Sequence, residues 1–87
     1  MKLTTAKACT VLLNNGHICE IFYTHFKRPY YGVYQTIQRK PQTVGHITPK
    51  QFQEMAEADL IKQNGSQNDK YGNKYNYYFI PFREENQ

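Results

Sequence analysis

Tryptophan is absent from this chain of 87 residues, and cysteine, proline and glycine are sparse at two, four and five. Two cysteines cannot build the multiple bridges that hold together secreted proteins of this size. Cys9 and Cys19 form no CxxC, and His17, His25 and His46 fall at no ligand spacing. The expectation is two small, mostly buried, reduced thiols, with no metal and no cofactor. No apolar run is long enough to cross a membrane. The opening "MKLTTAKACT" lacks the apolar core of a secretory signal, which points to the cytoplasm.

Motifs of catalysis are missing too. The scattered glycines form no GxxxxGK phosphate loop, and neither GxSxG nor HExxH occurs. Glu54 and Glu57 stand three apart on a polar helical face, where solvated carboxylates are expected rather than an acid and its base. His25 has no nucleophile or orienting acid near it in sequence. These absences argue against an enzyme, and no catalytic residue is assigned.

Aromatics are plentiful: eight tyrosines and five phenylalanines make up 15% of the chain. With hydrophobic residues at only 39%, a few large rings must supply much of the burial. The length fits one domain. Residues 1–83 are read as a single α+β domain, and residues 84–87 as a flexible acidic tail. Eleven basic residues against seven acidic ones give a net charge of +4, which favours an anionic partner.

An internal echo organises the chain. Leu3–Ile18 and Ile47–Ile61 align with one skipped residue near Gly16, Thr4 matching Thr48, Ala8 matching Phe52 and Val11 matching Met55. Each copy reads as a Thr-capped helix. In the second, Pro49 suits the first helical position and Gln51 completes a capping box. Phe52, Met55, Ala56 and Leu60 then form one apolar stripe. In the first, Ala8, Val11 and Leu12 form the stripe, and Gly16 is expected in the left-handed position after the helix.

Strand-like sequence follows each helix. "HICEIFYTHF" and "YYGVYQTIQ" are rich in β-branched and aromatic residues, with "KRP" as a turn between them. "RKPQTVG" reads as a linker, "LIKQ" as the start of a short strand, "NGSQNDKYGN" as a long polar loop, and "KYNYYFIPF" as the last strand. The expected order is α-β-β-α-β-β, two helices packed on an antiparallel sheet of two hairpins. Alternation in the last strand puts Tyr75, Tyr77 and Phe79 on one face and Asn76, Tyr78, Ile80 and Phe82 on the other.

The second half resembles a winged helix-turn-helix domain, with Leu60, Ile61 and the stretch Asn64–Asn73 as helix end and β-wing. The overall plan resembles the small bacterial YjhX-like proteins. Leu3, Thr4, Gly16, Ile18, Thr48, Phe52, Leu60, Ile61, Lys62, Asn64 and Gly65 carry that likeness. Members of that family are described as candidate toxins of toxin–antitoxin pairs, so the resemblance implies a small bacterial effector.

Cations and rings interleave in three places. "HFKRPYYGVY" holds Lys27, Arg28, Tyr30, Tyr31 and Tyr34, "QRKP" holds Arg39 and Lys40, and "KYGNKYNYYF" holds Lys70, Lys74, Tyr75 and Tyr77. Stacking rings beside phosphate-binding cations are what nucleic-acid binders use. The partner-facing surface is expected to centre on residues 27–34, with the Lys70–Lys74 loop secondary. Glu54, Glu57 and Asp59 would repel phosphate from the second helix, so the hairpins should meet the partner. The leading expectation is a small non-enzymatic protein binding nucleic acid or a complex that handles it. One alternative is a phage or mobile-element inhibitor of a host defence complex, in the style of anti-CRISPR proteins, or a toxin-like effector with a protein target. Another is a homodimeric interaction module.

Overall fold

The computed structural model describes residues 1–81. Phe82 and the acidic tail of residues 84–87 lie outside the described residues. Helix α1 spans Thr5–Leu13 and α2 spans Pro49–Glu57. The strands are β1 (Gly16–Phe22), β2 (Tyr30–Ile37), β3 (Lys40–Ile47), β4 (Lys62–Asn68) and β5 (Lys74–Phe79). All five pair antiparallel in the order β3-β2-β1-β5-β4. The class is α+β, and the element order is α-β-β-β-α-β-β.

Two stretches expected to be irregular are strands. The stretch read as a linker is β3, joined to β2 by a tight turn in which Gln38 and Arg39 take left-handed backbone angles of φ 53° and 69°. Its Pro41 is tolerated because β3 is an edge strand, where a missing N–H breaks no ladder. The stretch read as a long loop is mostly β4, and only residues 69–73 turn the chain into β5. All seven β4 residues are exposed, so no apolar alternation marks it in sequence. A register shift between Gln63 and Ser66 interrupts its pairing with β5.

Capping chemistry starts both helices. The Lys7 amide donates to Thr4 Oγ1 at 3.1 Å. The Gln51 amide donates to Thr48 Oγ1 at 3.1 Å, and the Thr48 amide to Gln51 Oε1 at 2.8 Å, closing the expected capping box. Gln51 Nε2 also donates to the Leu3 carbonyl at 2.9 Å, tying the two helix starts together. Asn15, at φ 70°, takes the left-handed position expected of Gly16, which asparagine tolerates. Gly16 opens β1 instead, where a Cβ would collide with the Val11 carbonyl. The α2 stripe of Phe52, Met55 and Ala56 packs inward. Leu60 does not continue it: it lies beyond the helix end and is exposed.

Both helices cover the same face of the sheet. Ala8, Val11, Leu12, Phe52 and Met55 bury against Ile18, Tyr31, Val33 and Ile47, with Leu3, Ile61 and Ile80 closing the edges. Among the described residues, no helix is long and apolar enough to cross a membrane.

Candidate functional site

Among the described residues, no helix lies over the other face of the sheet. The three central strands alternate without interruption where β1 pairs with its neighbours, placing His17, Cys19 and Ile21 of β1 beside Tyr34, Gly32 and Tyr30 of β2. Tyr77 and Tyr75 of β5 flank Cys19 and Ile21 from the other side. His17 stacks on Tyr34 with ring centroids 5.4 Å apart and planes 16° apart, and it meets Phe79 at 5.4 Å and Tyr77 at 6.0 Å. Tyr30 reaches His46 of β3 at 5.9 Å. The result is a sheet of rings lying over small residues. Cys19 and Ile21 are each only 4% exposed, although no helix shields them. Gly32 makes room for this arrangement: a Cβ would sit 2.7 Å from the end of the Tyr34 ring folded across it and would push that ring aside.

Burial, followed by the nearby Glu20 charge, pushes the Cys19 thiol up to about 11. The thiolate needed for nucleophilic or metal chemistry is therefore disfavoured. Cys9 lies half-buried on α1 and Cys19 faces away from the helices, and both are free thiols. No three histidine, cysteine, aspartate or glutamate side chains gather into a metal site among the described residues.

At one end of this face the β1–β2 loop meets the β4–β5 turn. The Thr24 amide donates to Asn73 Oδ1 at 3.0 Å across the junction. Asp69 organises the turn, accepting from the amides of Tyr71 (2.9 Å) and Asn73 (3.0 Å), from Asn73 Nδ2 (2.9 Å) and from the Tyr75 hydroxyl (3.0 Å). Burial alone would raise the Asp69 carboxyl, but these donors outweigh it and hold it below its ordinary range. Between loop and turn opens a groove of about 930 Å³, whose walls include Tyr23, Phe26, Arg28, Tyr30 and Tyr71. Phe26 is 68% exposed and Tyr71 is 71% exposed. The Lys70 ammonium sits 5.3 Å from the Tyr71 ring centre, an attractive cation–π distance.

The sequence-predicted residues are redistributed by this topology. Lys27 and Arg28 belong to the β1–β2 loop, while Lys70 and Lys74 belong to the β4–β5 turn and the start of β5. Because β1 pairs with β5, with Phe22 opposite Lys74, the two clusters read as separate in sequence share one end of the sheet. Tyr30, Tyr34, Tyr75 and Tyr77 lie on the helix-free face. Arg39, in the β2–β3 turn, and Lys40, the first residue of β3, are exposed at the opposite end of β2. His17, Tyr23, Phe26, His46, Tyr71 and Phe79 were not assigned to the site from sequence. Alternation from His17 through Tyr23 was the available signal for β1.

Tyr31 is a correction. It faces the helices, is 6% exposed, and stacks on Phe52 at 4.2 Å. Its hydroxyl donates to Glu20 Oε2 at 2.9 Å. Asn76 Nδ2 and the Tyr78 hydroxyl donate to Glu20 Oε1 at 3.1 and 3.2 Å. Glu20 is 8% exposed, so this is a carboxylate held inside by three donors. Burial first, then the neighbouring Glu20, drives the Tyr31 and Tyr78 hydroxyls above their ordinary range. Tyr31 supports the interior and offers no ring to a partner.

Charge divides by location. Of the five acidic residues in the described part, Glu54, Glu57 and Asp59 belong to α2 or its end, Glu20 is internal, and Asp69 is hydrogen-bonded within its turn. Exposed cations stand at the groove and at the ends of the sheet, with two more, Lys7 and Lys50, on the helices. Comparison with protein-family models, curated proteins and solved structures finds no match for the chain.

Proposed function

We propose that this chain acts by binding, without chemistry of its own, and that its partner is single-stranded nucleic acid. The observation that carries the reading is a sheet face left free of helices, surfaced by aromatic rings and bordered by Lys27, Arg28, Lys70 and Lys74 at its groove end. Rings of this kind stack on bases at ~1–3 kcal/mol each, whatever the base, while lysine and arginine hold phosphates. Duplex is disfavoured as the partner, because its bases already stack on one another and α2, where a groove-reading helix would need cations, carries Glu54 and Glu57.

The test is fluorescence anisotropy with labelled single-stranded and duplex DNA and RNA across a salt series. Single strands should bind better than duplexes, with affinity falling steeply as salt rises. Phe26→Ala/Tyr71→Ala should weaken binding at least tenfold with unchanged melting. Failure of a folded protein to bind any oligonucleotide would overturn the reading and turn attention to an acidic protein surface, the target of an inhibitor.

A further inference from the structure

Resting on that reading, we infer that the bound strand follows one track along β2, from the groove to the β2–β3 turn, and covers about four to seven nucleotides. Three features fall in line. The groove with its exposed Phe26 and Tyr71 lies at one end. Tyr30 and Tyr34 follow on the same face of β2, Tyr34 extended sideways by the stacked His17. Arg39, in a turn two residues long, and Lys40, which opens β3, stand exposed at the other end. The left-handed angles at Gln38 and Arg39 fit the tight hairpin turns that hold a fixed geometry, so these cations project from a defined point.

The length of the track sets the footprint. From Tyr30 to Ile37 the strand advances roughly 23 Å at about 3.3 Å per residue. Bases stacked at about 3.4 Å would place about seven nucleotides over that span, and splayed bases about four. Tracks across the strands fit less well. Rings also adjoin across β2, β1 and β5 through Tyr34, His17 and Tyr77, but that row ends at β4, which carries no ring and whose only cation is Lys62, at the far corner beside Phe79. Cations at both ends of β2 with rings between them match a polyanion with stackable bases laid lengthwise.

The experiment compares single-stranded oligonucleotides of four, eight and twenty nucleotides, as DNA and as RNA, against the wild type, Arg39→Glu/Lys40→Glu and Lys62→Glu. Melting is checked for each variant. Wild-type affinity should rise from four to eight nucleotides and then level off apart from the statistical gain of extra sites. Arg39→Glu/Lys40→Glu should lower affinity for eight nucleotides about tenfold and for four less than twofold. It should also flatten the salt dependence for eight by roughly 1.4 in slope, at about 0.7 per phosphate contact. Lys62→Glu should change little. Equal losses at four and eight nucleotides, no loss at either, or a larger loss from Lys62→Glu would overturn the lengthwise track while leaving single-strand binding intact. Absence of binding by the wild type would instead overturn the functional reading and this inference with it. A DNA–RNA difference identifies the natural strand, and similar affinity for both supports stacking and phosphate contacts as the whole of recognition.

Discussion

The two faces of the sheet bury their centres by different means. Under the helices, Ile18, Val33 and Ile47 are sealed by side chains from another layer, chiefly Leu12, Phe52 and Met55. On the opposite face, Cys19 and Ile21 are as well hidden, yet the cover comes from the sheet's own rings, with Tyr34 lying over Gly32. A tyrosine can do this because its ring is apolar and its hydroxyl remains wet. The first solution yields a core with no free surface. The second yields a sealed centre whose upper side is still a set of aromatic faces. That difference is why the helix-free face presents rings to solvent while its centre stays sealed.

The comparison breaks most readily through stability. Phe52→Ala removes a ring stacked on Tyr31 and edge-on to Tyr78 at 4.8 Å, and it should cost about 3–5 kcal/mol, enough to unfold a domain of this size. Tyr34→Ala on the other face should cost less than half as much by thermal melting. Equal costs would mean that the two faces are one core energetically.

Glu20→Ala comes next. It leaves two hydroxyls and an amide without their buried acceptor, at about 1.5–3 kcal/mol in urea titration. The same cluster predicts alkaline lability. Raised pKa values for Tyr31, Tyr78 and Cys19 mean that the folded protein holds protons that the unfolded chain releases. Their contribution is complete below pH 9, declines between about 9 and 11 on account of Cys19, and declines further as pH passes the ordinary tyrosine value of 10.0. A melting temperature flat from pH 8 to about 12 would contradict it.

Smaller still are the charge reversals at the groove. Lys27→Glu/Arg28→Glu should weaken oligonucleotide binding about tenfold, or ~1.4 kcal/mol. Sequence alone ranks Lys70→Glu/Lys74→Glu below that pair. Their shared end of the sheet predicts comparable effects, and a strong inequality would confine the interface to one loop. The least effect belongs to Cys9→Ser/Cys19→Ser, which should leave binding intact. In the wild type, thiol labelling should reach the half-buried Cys9 before Cys19, and the opposite order would show the aromatic cover to be open.

What was legible in the sequence was local. Thr4 and Thr48 cap helices by bonds spanning three residues, and the alternation of Tyr75 to Ile80 needs only its neighbours. β3 was hidden by Pro41 and by its mixed polar run, whose pairing depends on a turn formed without glycine. β4 was hidden because all its side chains face solvent. The site was half legible: the rings and cations were visible, but Tyr31 was assigned to the partner because its buried acceptor, Glu20, is eleven residues away. The meeting of Lys27 and Arg28 with Lys70 and Lys74 depends on β1–β5 pairing, which no short window contains.

That pairing also sets an order of events in synthesis. β1 is the middle strand, and its second neighbour is β5, made long after it, with Ile18 opposite Tyr78. Until β5 emerges from the ribosome, one side of β1 is a bare edge and Glu20 lacks both Asn76 and Tyr78. Contacts so distant along the chain are reached slowly, on the order of milliseconds to seconds for sheet-rich domains. Until β5 joins it, the central strand of the nascent chain therefore stays half-paired, with the Glu20 carboxylate held by Tyr31 alone.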